Sequence, residues 1–213
     1  MVSPSQDGLR HWIFGYGSIV NEASRLKTLA AQAEEVPAPA ALVELASDAG
    51  YVRVWNFRAP SGFTATGMQA SDTPTEICGV LFESAGALGR FDAREVGYDR
   101  IELHATHLHI LDGHNTPAAT ALRAAVAGAK NHKFWTYVPR ETAAASEEYP
   151  ICQTYVDACL VGCLERGGVE LATRWVRTTG GWSSYVCAAG IEPATLDTLH
   201  LLMAHLPPSA DSG

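Results

Sequence analysis

The run His11-Trp12-Ile13-Phe14 (HWIF) leads directly into Gly15-Tyr16-Gly17-Ser18, and the resulting segment, FGYGS over residues 14–18, decides how the rest of the chain is read. A short aromatic and β-branched run closed by glycine reads as a strand entering a turn. Two glycines around a tyrosine let the backbone bend sharply and present successive N–H groups, a cradle suited to a carboxylate or a polarised carbonyl. The plainer reading is that Gly-x-Gly merely turns a corner. A dinucleotide fingerprint is not met, because the third glycine and the following βα pattern are missing. Ser18 lacks the G-x-S-x-G elbow and an assignable histidine partner, which argues against a serine hydrolase.

Outward from this segment, Asn21–Ala33 has the apolar spacing of a helix, with Asn21 placed to cap it and Pro37 and Pro39 to stop it. Four short β-like stretches follow, Ala41–Leu45, Tyr51–Phe57, Thr64–Met68 and Glu76–Glu83, each bounded by turn residues. That pattern suits an antiparallel sheet or barrel better than a βα alternation. Gly86–Glu95 predicts one or two helical turns. Asp99–Leu111 predicts a strand broken at Asp112-Gly113-His114-Asn115, and Phe134–Val138 (FWTYV) another strand. Cys152, Tyr155, Val156, Cys159, Leu160 and Cys163 recur at offsets of 3 and 4, so 150–167 reads as an amphipathic helix closing at Gly167-Gly168. Further helices are expected over Val169–Arg177 and Pro193–Leu206.

A second segment carries chemistry: Phe91-Asp92-Ala93-Arg94-Glu95-Val96-Gly97-Tyr98-Asp99-Arg100. Charged side chains of both signs lie between aromatics at a helix-to-strand junction, so at least one faces inward. Glu95, beside Val96 and near Tyr98, is the candidate. Desolvation there raises its proton affinity, as a general base near neutral pH requires. The alternative is a set of surface ion pairs.

Together, in this order and about eighty residues apart, the two segments resemble the γ-glutamylcyclotransferase-like superfamily. The resemblance continues through Arg53-Val54-Trp55-Asn56, Gly79-Val80-Leu81-Phe82, Tyr137-Val138, Tyr149-Pro150 and Tyr155, and covers about residues 12–168. It implies an α+β fold, a small mixed β-barrel with peripheral helices, and a substrate that is a small γ-glutamyl compound. It implies Glu95 as the catalytic acid/base. Tyr16, Gly17, Ser18 and Ile19 would form the binding loop, and Tyr155 would lend a hydroxyl to the substrate pocket. No cofactor is implied. The implied reaction is intramolecular: the substrate's α-amine attacks its own γ-carbonyl, giving 5-oxoproline and releasing an amine, amino acid or peptide. Ile19 stands where leucine is commoner, and a single residue separates Glu95 from Gly97, so the leaving group, glutathione's included, stays open. Two other readings keep the same fold: a non-catalytic module for a small carboxylate, or an enzyme of different acyl, elimination or amide-cleaving chemistry.

Composition bounds these readings. Of 213 residues, 15 are Lys or Arg and 23 are Asp or Glu, a formal net charge of −8. Without a basic cluster, neither nucleic acid nor an anionic membrane is an expected partner. The five cysteines show no CxxC pair and favour a reduced, cytoplasmic protein, and no apolar run reaches the length of a membrane span. His104, His107 and His109 (HATHLH) invite a metal reading, but on a regular strand only His107 and His109 share a face, and a third ligand is missing. The expected organisation is a lead at 1–10, a barrel domain at 11–168, a helical extension at 169–206 packed on it, and a tail at 207–213. Monomer and homodimer are equally open. Thr178–Tyr185, with Gly180-Gly181-Trp182, is either a flap or a helix-ending turn whose aromatics pack on the barrel, and two glycines after a helix favour the turn.

Overall fold

The computed structural model describes residues 8–29, 40–84, 86–111, 116–182 and 186–187. Strand β1 (Arg10–Gly15) pairs antiparallel with β5 (Ile77–Glu83) on one side and parallel with β8 (His132–Pro139) on the other. The sheet continues to β6 (Tyr98–Leu103) beyond β8, and through β2 (Ala41–Leu45) to β7 (Leu108–Ile110) beyond β5. A second sheet has β3 (Tyr51–Ala59) and β4 (Phe63–Ala70) as an antiparallel pair. It is extended by the two-residue strands β9 (Ile151–Cys152), β10 (Thr179–Gly180) and β11 (Val186–Cys187). The class is α+β, with two mixed sheets rather than an all-antiparallel one; the β1–β8 pairing is parallel.

Period-two alternation in the first sheet feeds two separate cores. Ile13, Leu42, Cys78, Val80 and Phe82 enter one, with Trp55 of β3. Trp12, Phe14, Ala41, Val43, Leu45, Ile77 and Leu81 enter the other. Helix α3 (Pro117–Ala127) covers the second core with Ala118, Leu122 and Ala125. Helix α4 (Gln153–Arg177) covers the first with Val156, Cys159, Leu160 and Cys163, then Leu171, Trp175 and Val176. Because both faces are covered, β2 and β5 are buried along their whole lengths.

Several boundaries differ from expectation for local reasons. The long helix starts at Gln153, since Ile151 and Cys152 pair with β4 and β11. Its Gly167 and Gly168 leave helical geometry, Gly168 at φ 63°, and the helix resumes beyond them, so the expected Val169–Arg177 helix follows a kink. The stretch 99–111 is not one strand: Ala105–His107 makes a 3-10 turn. His104 and His107 therefore meet edge-on at 5.7 Å, and the shared strand face expected for His107 and His109 does not exist. Helix α3 was not expected, being alanine-rich with little periodic contrast; Thr116 caps it by accepting from the Ala119 N–H at 3.1 Å. Helix α1 (Glu22–Leu29) is capped as expected, Asn21 Oδ1 accepting from the Ser24 N–H at 3.0 Å. Trp182 packs against Trp55 at 5.1 Å and donates to Val176 O, as the turn reading requires. The helix expected over Pro193–Leu206, the tail and most of the lead lie outside the described residues; Arg10, placed in the lead, already belongs to β1. Among the described residues no helix is long and apolar enough to cross a membrane.

One side chain joins these parts. Arg53 of β3 is fully buried, and its guanidinium donates to Cys78 O (2.8 Å) on β5, Trp175 O (2.9 Å) at the end of α4, Thr178 Oγ1 (2.9 Å) and Thr179 Oγ1 (2.7 Å). It also reaches Tyr16 O at 3.4 Å and lies over the Trp175 ring at 4.7 Å. Arg53→Ala leaves several buried acceptors unpaired, and a loss of at least about 3 kcal/mol in urea unfolding is expected. Arg53→Lys rescues only part of it, because one ammonium cannot reproduce five planar donors. Retention of wild-type stability in Arg53→Ala would contradict this account.

Candidate functional site

The FGYGS segment leaves β1 at the sheet centre and turns through a 3-10 helix, Ser18–Val20. Each glycine answers a close approach. A side chain at Gly15 would collide with Ile19, and a Cβ at Gly17 would lie 2.6 Å from Tyr155 Oη and 2.7 Å from Thr66 Oγ1. The loop's carbonyls are pulled back into the protein. Tyr16 O accepts from Trp175 Nε1 (3.0 Å) and faces Arg53, while Ile19 O and Val20 O accept from the buried Arg25 at 2.9 and 2.7 Å. Burial lowers the Arg25 pKa to about 10, which still leaves it charged at neutral pH. In a trans peptide the N–H opposes the carbonyl, so anchoring Tyr16 O turns the Gly17 N–H away from Trp175 and Arg53. The next N–H, that of Ser18, points at Tyr155 Oη, 3.4 Å away.

Gly17, Ser18, Thr66 and Tyr155 line a cavity open to solvent. Its walls contain every residue singled out from the sequence: Tyr16, Gly17, Ser18, Ile19, Glu95 and Tyr155. Glu95 arrives from helix α2 (Leu88–Arg94), which it terminates with its N–H bonded to Phe91 O. Tyr155 stands in the first turn of α4 and shares a hydrogen bond of 3.0 Å with Thr66 Oγ1 on β4. Tyr16 lines the cavity with its phenol turned into the protein. There it donates to Tyr137 O at 2.6 Å and accepts from the Met68 N–H at 3.1 Å, tying β1, β4 and β8 together. Its share of the cavity is therefore that of a strut.

Thr66, Tyr98 and Tyr137 also line the cavity and were not singled out. Tyr98 donates to Thr66 O at 3.1 Å, and its ring rests on Phe57 at 4.1 Å. A β-bulge between Trp55 and Phe57 shifts the register of β3 on β4 at that point. Gly97, at φ 92°, lets the chain pass close over Phe57. Tyr137 donates to Asp92 Oδ1 at 2.9 Å, and Asp92 is paired with Arg100 at 2.6 Å. The surface-pair alternative thus describes Asp92 and Arg100, whereas Glu95 turns into the cavity. The Gly97-Tyr98 pair beside Glu95 points to Tyr98, and Tyr137 belongs to a stretch quoted for the resemblance; Thr66 comes from a distant strand with no local signal.

Burial sets the electrostatics of the cavity. Burial raises the Glu95 carboxyl above its ordinary value, opposed by the Arg94 guanidinium 3.1 Å away. Burial likewise pushes the phenols of Tyr16, Tyr98, Tyr137 and Tyr155 above their usual range, so all four are neutral donors. Among the described residues no cluster of three or more His, Cys, Asp or Glu side chains could hold a metal ion.

No protein-family model matches the sequence, and no curated protein matches it significantly. Solved structures do. A γ-glutamyl cyclotransferase aligns at a TM-score of 0.52 and 12% identity, over 90% of this chain and 99% of its own. An uncharacterized protein from Homo sapiens aligns at a TM-score of 0.52 and 12% identity, over 90% of this chain and 98% of its own. At such identities the likeness is one of architecture: the chain has the γ-glutamyl cyclotransferase-like fold.

Proposed function

We propose that the protein cyclises a γ-glutamyl compound, releasing its amine, amino acid or peptide and forming 5-oxoproline. The observation that carries this reading is the meeting, in one cavity, of a partly desolvated glutamate with the glycine-bearing loop, whose Ser18 N–H points at a Tyr155 hydroxyl that is itself bonded to Thr66. The nucleophile belongs to the substrate, so the protein need supply only a folded-back conformer, a proton acceptor and an oxyanion site. Orienting such an intramolecular attack contributes on the order of 7 kcal/mol.

In the proposed sequence Glu95 takes a proton from the α-ammonium, and the freed amine forms a C–N bond to the γ-carbonyl carbon. Charge gathering on the carbonyl oxygen meets the N–H groups of Gly17 and Ser18 and the Tyr155 hydroxyl. The tetrahedral centre then collapses: Glu95 returns its proton to the departing nitrogen as the original amide C–N bond breaks. It then takes the second proton from the ring nitrogen, which becomes the neutral lactam N–H, and passes it to the released amine or solvent. The fold likeness to a γ-glutamyl cyclotransferase agrees with this reading.

Purified protein incubated with γ-glutamyl dipeptides, glutathione and γ-glutamyl amines is expected to yield 5-oxoproline from at least one of them. No product from any would overturn the activity, and ligand-induced thermal stabilisation without turnover would favour a binding module. Glu95→Gln is expected to cut kcat by about 100-fold or more, and unchanged turnover would remove Glu95 from the mechanism. Gly17→Ala forces the loop away from Tyr155 and Thr66. It is expected to cost roughly 10-fold or more in kcat/KM, since small displacements of positioning groups are expensive.

The raised carboxyl of Glu95 also fixes the sign of a stability effect. Its folded pKa lies above the ordinary 4.5, so the folded state binds the proton more tightly than the unfolded chain does. That contribution is present below about pH 4.5 and is lost as pH rises through the folded value. Glu95→Gln mimics the protonated form at every pH. It should be more stable than wild type at pH 7 in urea unfolding, with the gap closing toward pH 4. A less stable Glu95→Gln at pH 7 would mean that pairing with Arg94 outweighs burial.

A further inference from the structure

We propose that Arg94 is a positioning residue, whose guanidinium fastens the Glu95 carboxylate to helix α1 and to the Ser18 loop. The proposal rests on the reading of Glu95 as the acid/base.

Arg94 Nη1 donates to Ser24 O at 2.7 Å and to Thr28 Oγ1 at 2.6 Å. Nη2 donates to Ser24 Oγ at 2.9 Å and to Ser18 Oγ at 3.3 Å, and Nε faces Glu95 Oε1 at 3.1 Å. A guanidinium carries its donors in one rigid plane, so fixing the Nη edge on α1 and the loop dictates where the Nε edge points. Ser24 and Thr28 lie four residues apart and so share one face of α1, the spacing this grip needs. The helix is itself fixed at its start by the Asn21 cap.

The position of Glu95 makes such a hold necessary. It ends α2 with non-helical torsions, φ −88° and ψ 47°, and so stands outside the regular helix. Exposed adjacent ion pairs are worth little. This one is mostly covered, with side-chain exposures of 23% for Arg94 and 20% for Glu95. The titratable groups around Glu95 on other elements are Tyr16 after β1, Tyr98 on β6, Tyr137 on β8 and Tyr155 on α4, all held neutral. Behind Tyr137, the Asp92 charge is matched by Arg100. Arg94 is thus the charge that opposes the burial of Glu95. It is also a mechanical link, through Ser18, between the two halves of the cavity.

The test compares Arg94→Gln, Arg94→Lys and the double variant Ser24→Ala/Thr28→Val. Arg94→Gln is expected to lower kcat about 10- to 100-fold with KM little changed, and to move the acid limb of the pH–rate profile to higher pH. Arg94→Lys and the double variant keep the charge but loosen the geometry, so kcat falls while the acid limb stays near that of wild type. A second readout is independent of turnover: the Glu95 carboxyl carbon, identified by its absence in Glu95→Gln, is titrated by NMR. Its midpoint should rise in Arg94→Gln. A folded Arg94→Gln with wild-type kcat and acid limb would overturn the proposal, as would an unmoved Glu95 midpoint. Should no γ-glutamyl compound be turned over, the proposed reaction fails and the NMR titration alone decides the link. Should Arg94→Gln not fold, the double variant decides by its kcat, a wild-type value refuting the positioning role.

Discussion

The Arg53 guanidinium sits where both sheets, the kinked helix and the FGYGS loop converge. A buried cation is costly unless its hydrogen-bonding capacity is met. Here the acceptors come from Cys78 on one sheet, Trp175, Thr178 and Thr179 beyond it, and Tyr16 in the loop. Trp175 O belongs to the last turn of α4, where backbone carbonyls lack helical partners and carry partial negative charge. Arg53 therefore answers two deficits with one group. The arrangement also explains why α4 resumes after Gly167-Gly168: only the second half brings Trp175, whose indole both stacks on the guanidinium and donates to Tyr16 O.

The candidate site inherits its shape from that constraint. A loop made only of Gly, Tyr, Gly and Ser would be conformationally free, and freedom would be lost again on binding anything. Three arginines remove it beforehand. Arg53 holds the carbonyl of Tyr16, Arg25 those of Ile19 and Val20, and Arg94 the hydroxyl of Ser18. All of them bind acceptors, so what remains on the cavity side of the loop is donors. The phenols around the cavity stay neutral, and those of Tyr16, Tyr98 and Tyr137 spend their protons on Tyr137 O, Thr66 O and Asp92.

What the sequence discloses follows from how local each signal is. The Gly-Tyr-Gly turn, the Asn21 cap, the strands 41–45 and 77–83 and the amphipathic run from Cys152 to Cys163 are written in neighbouring residues, and they appear close to where the spacing puts them. Glu95 and the loop could be named, and they face one cavity. The parallel pairing of β1 with β8 joins residues some 120 positions apart and leaves no local trace. Thr66 and Tyr137 reach the cavity through strand register, which shifts at the bulge after Trp55. Regular alternation also misled at 104–109, where a 3-10 turn breaks the face that His107 and His109 would have shared.

Arg94 shows why a motif can be quoted in full and still be read only in part. In sequence it is one more charge in Phe91–Arg100, indistinguishable from Arg100, which pairs with Asp92 at the surface. The difference lies in what faces each guanidinium: Arg100 lies over Trp135 near solvent, whereas Arg94 meets the hydroxyls of α1. Burial alone would drive Glu95 toward its neutral form, useless as a proton acceptor. Full pairing would hold it ionised but too weakly basic for the proton transfer proposed above. A single charged neighbour, itself shared among Ser18, Ser24 and Thr28, leaves the balance tipped toward burial. The hydroxyls that occupy Arg94 thus bear on the basicity of a glutamate they do not touch.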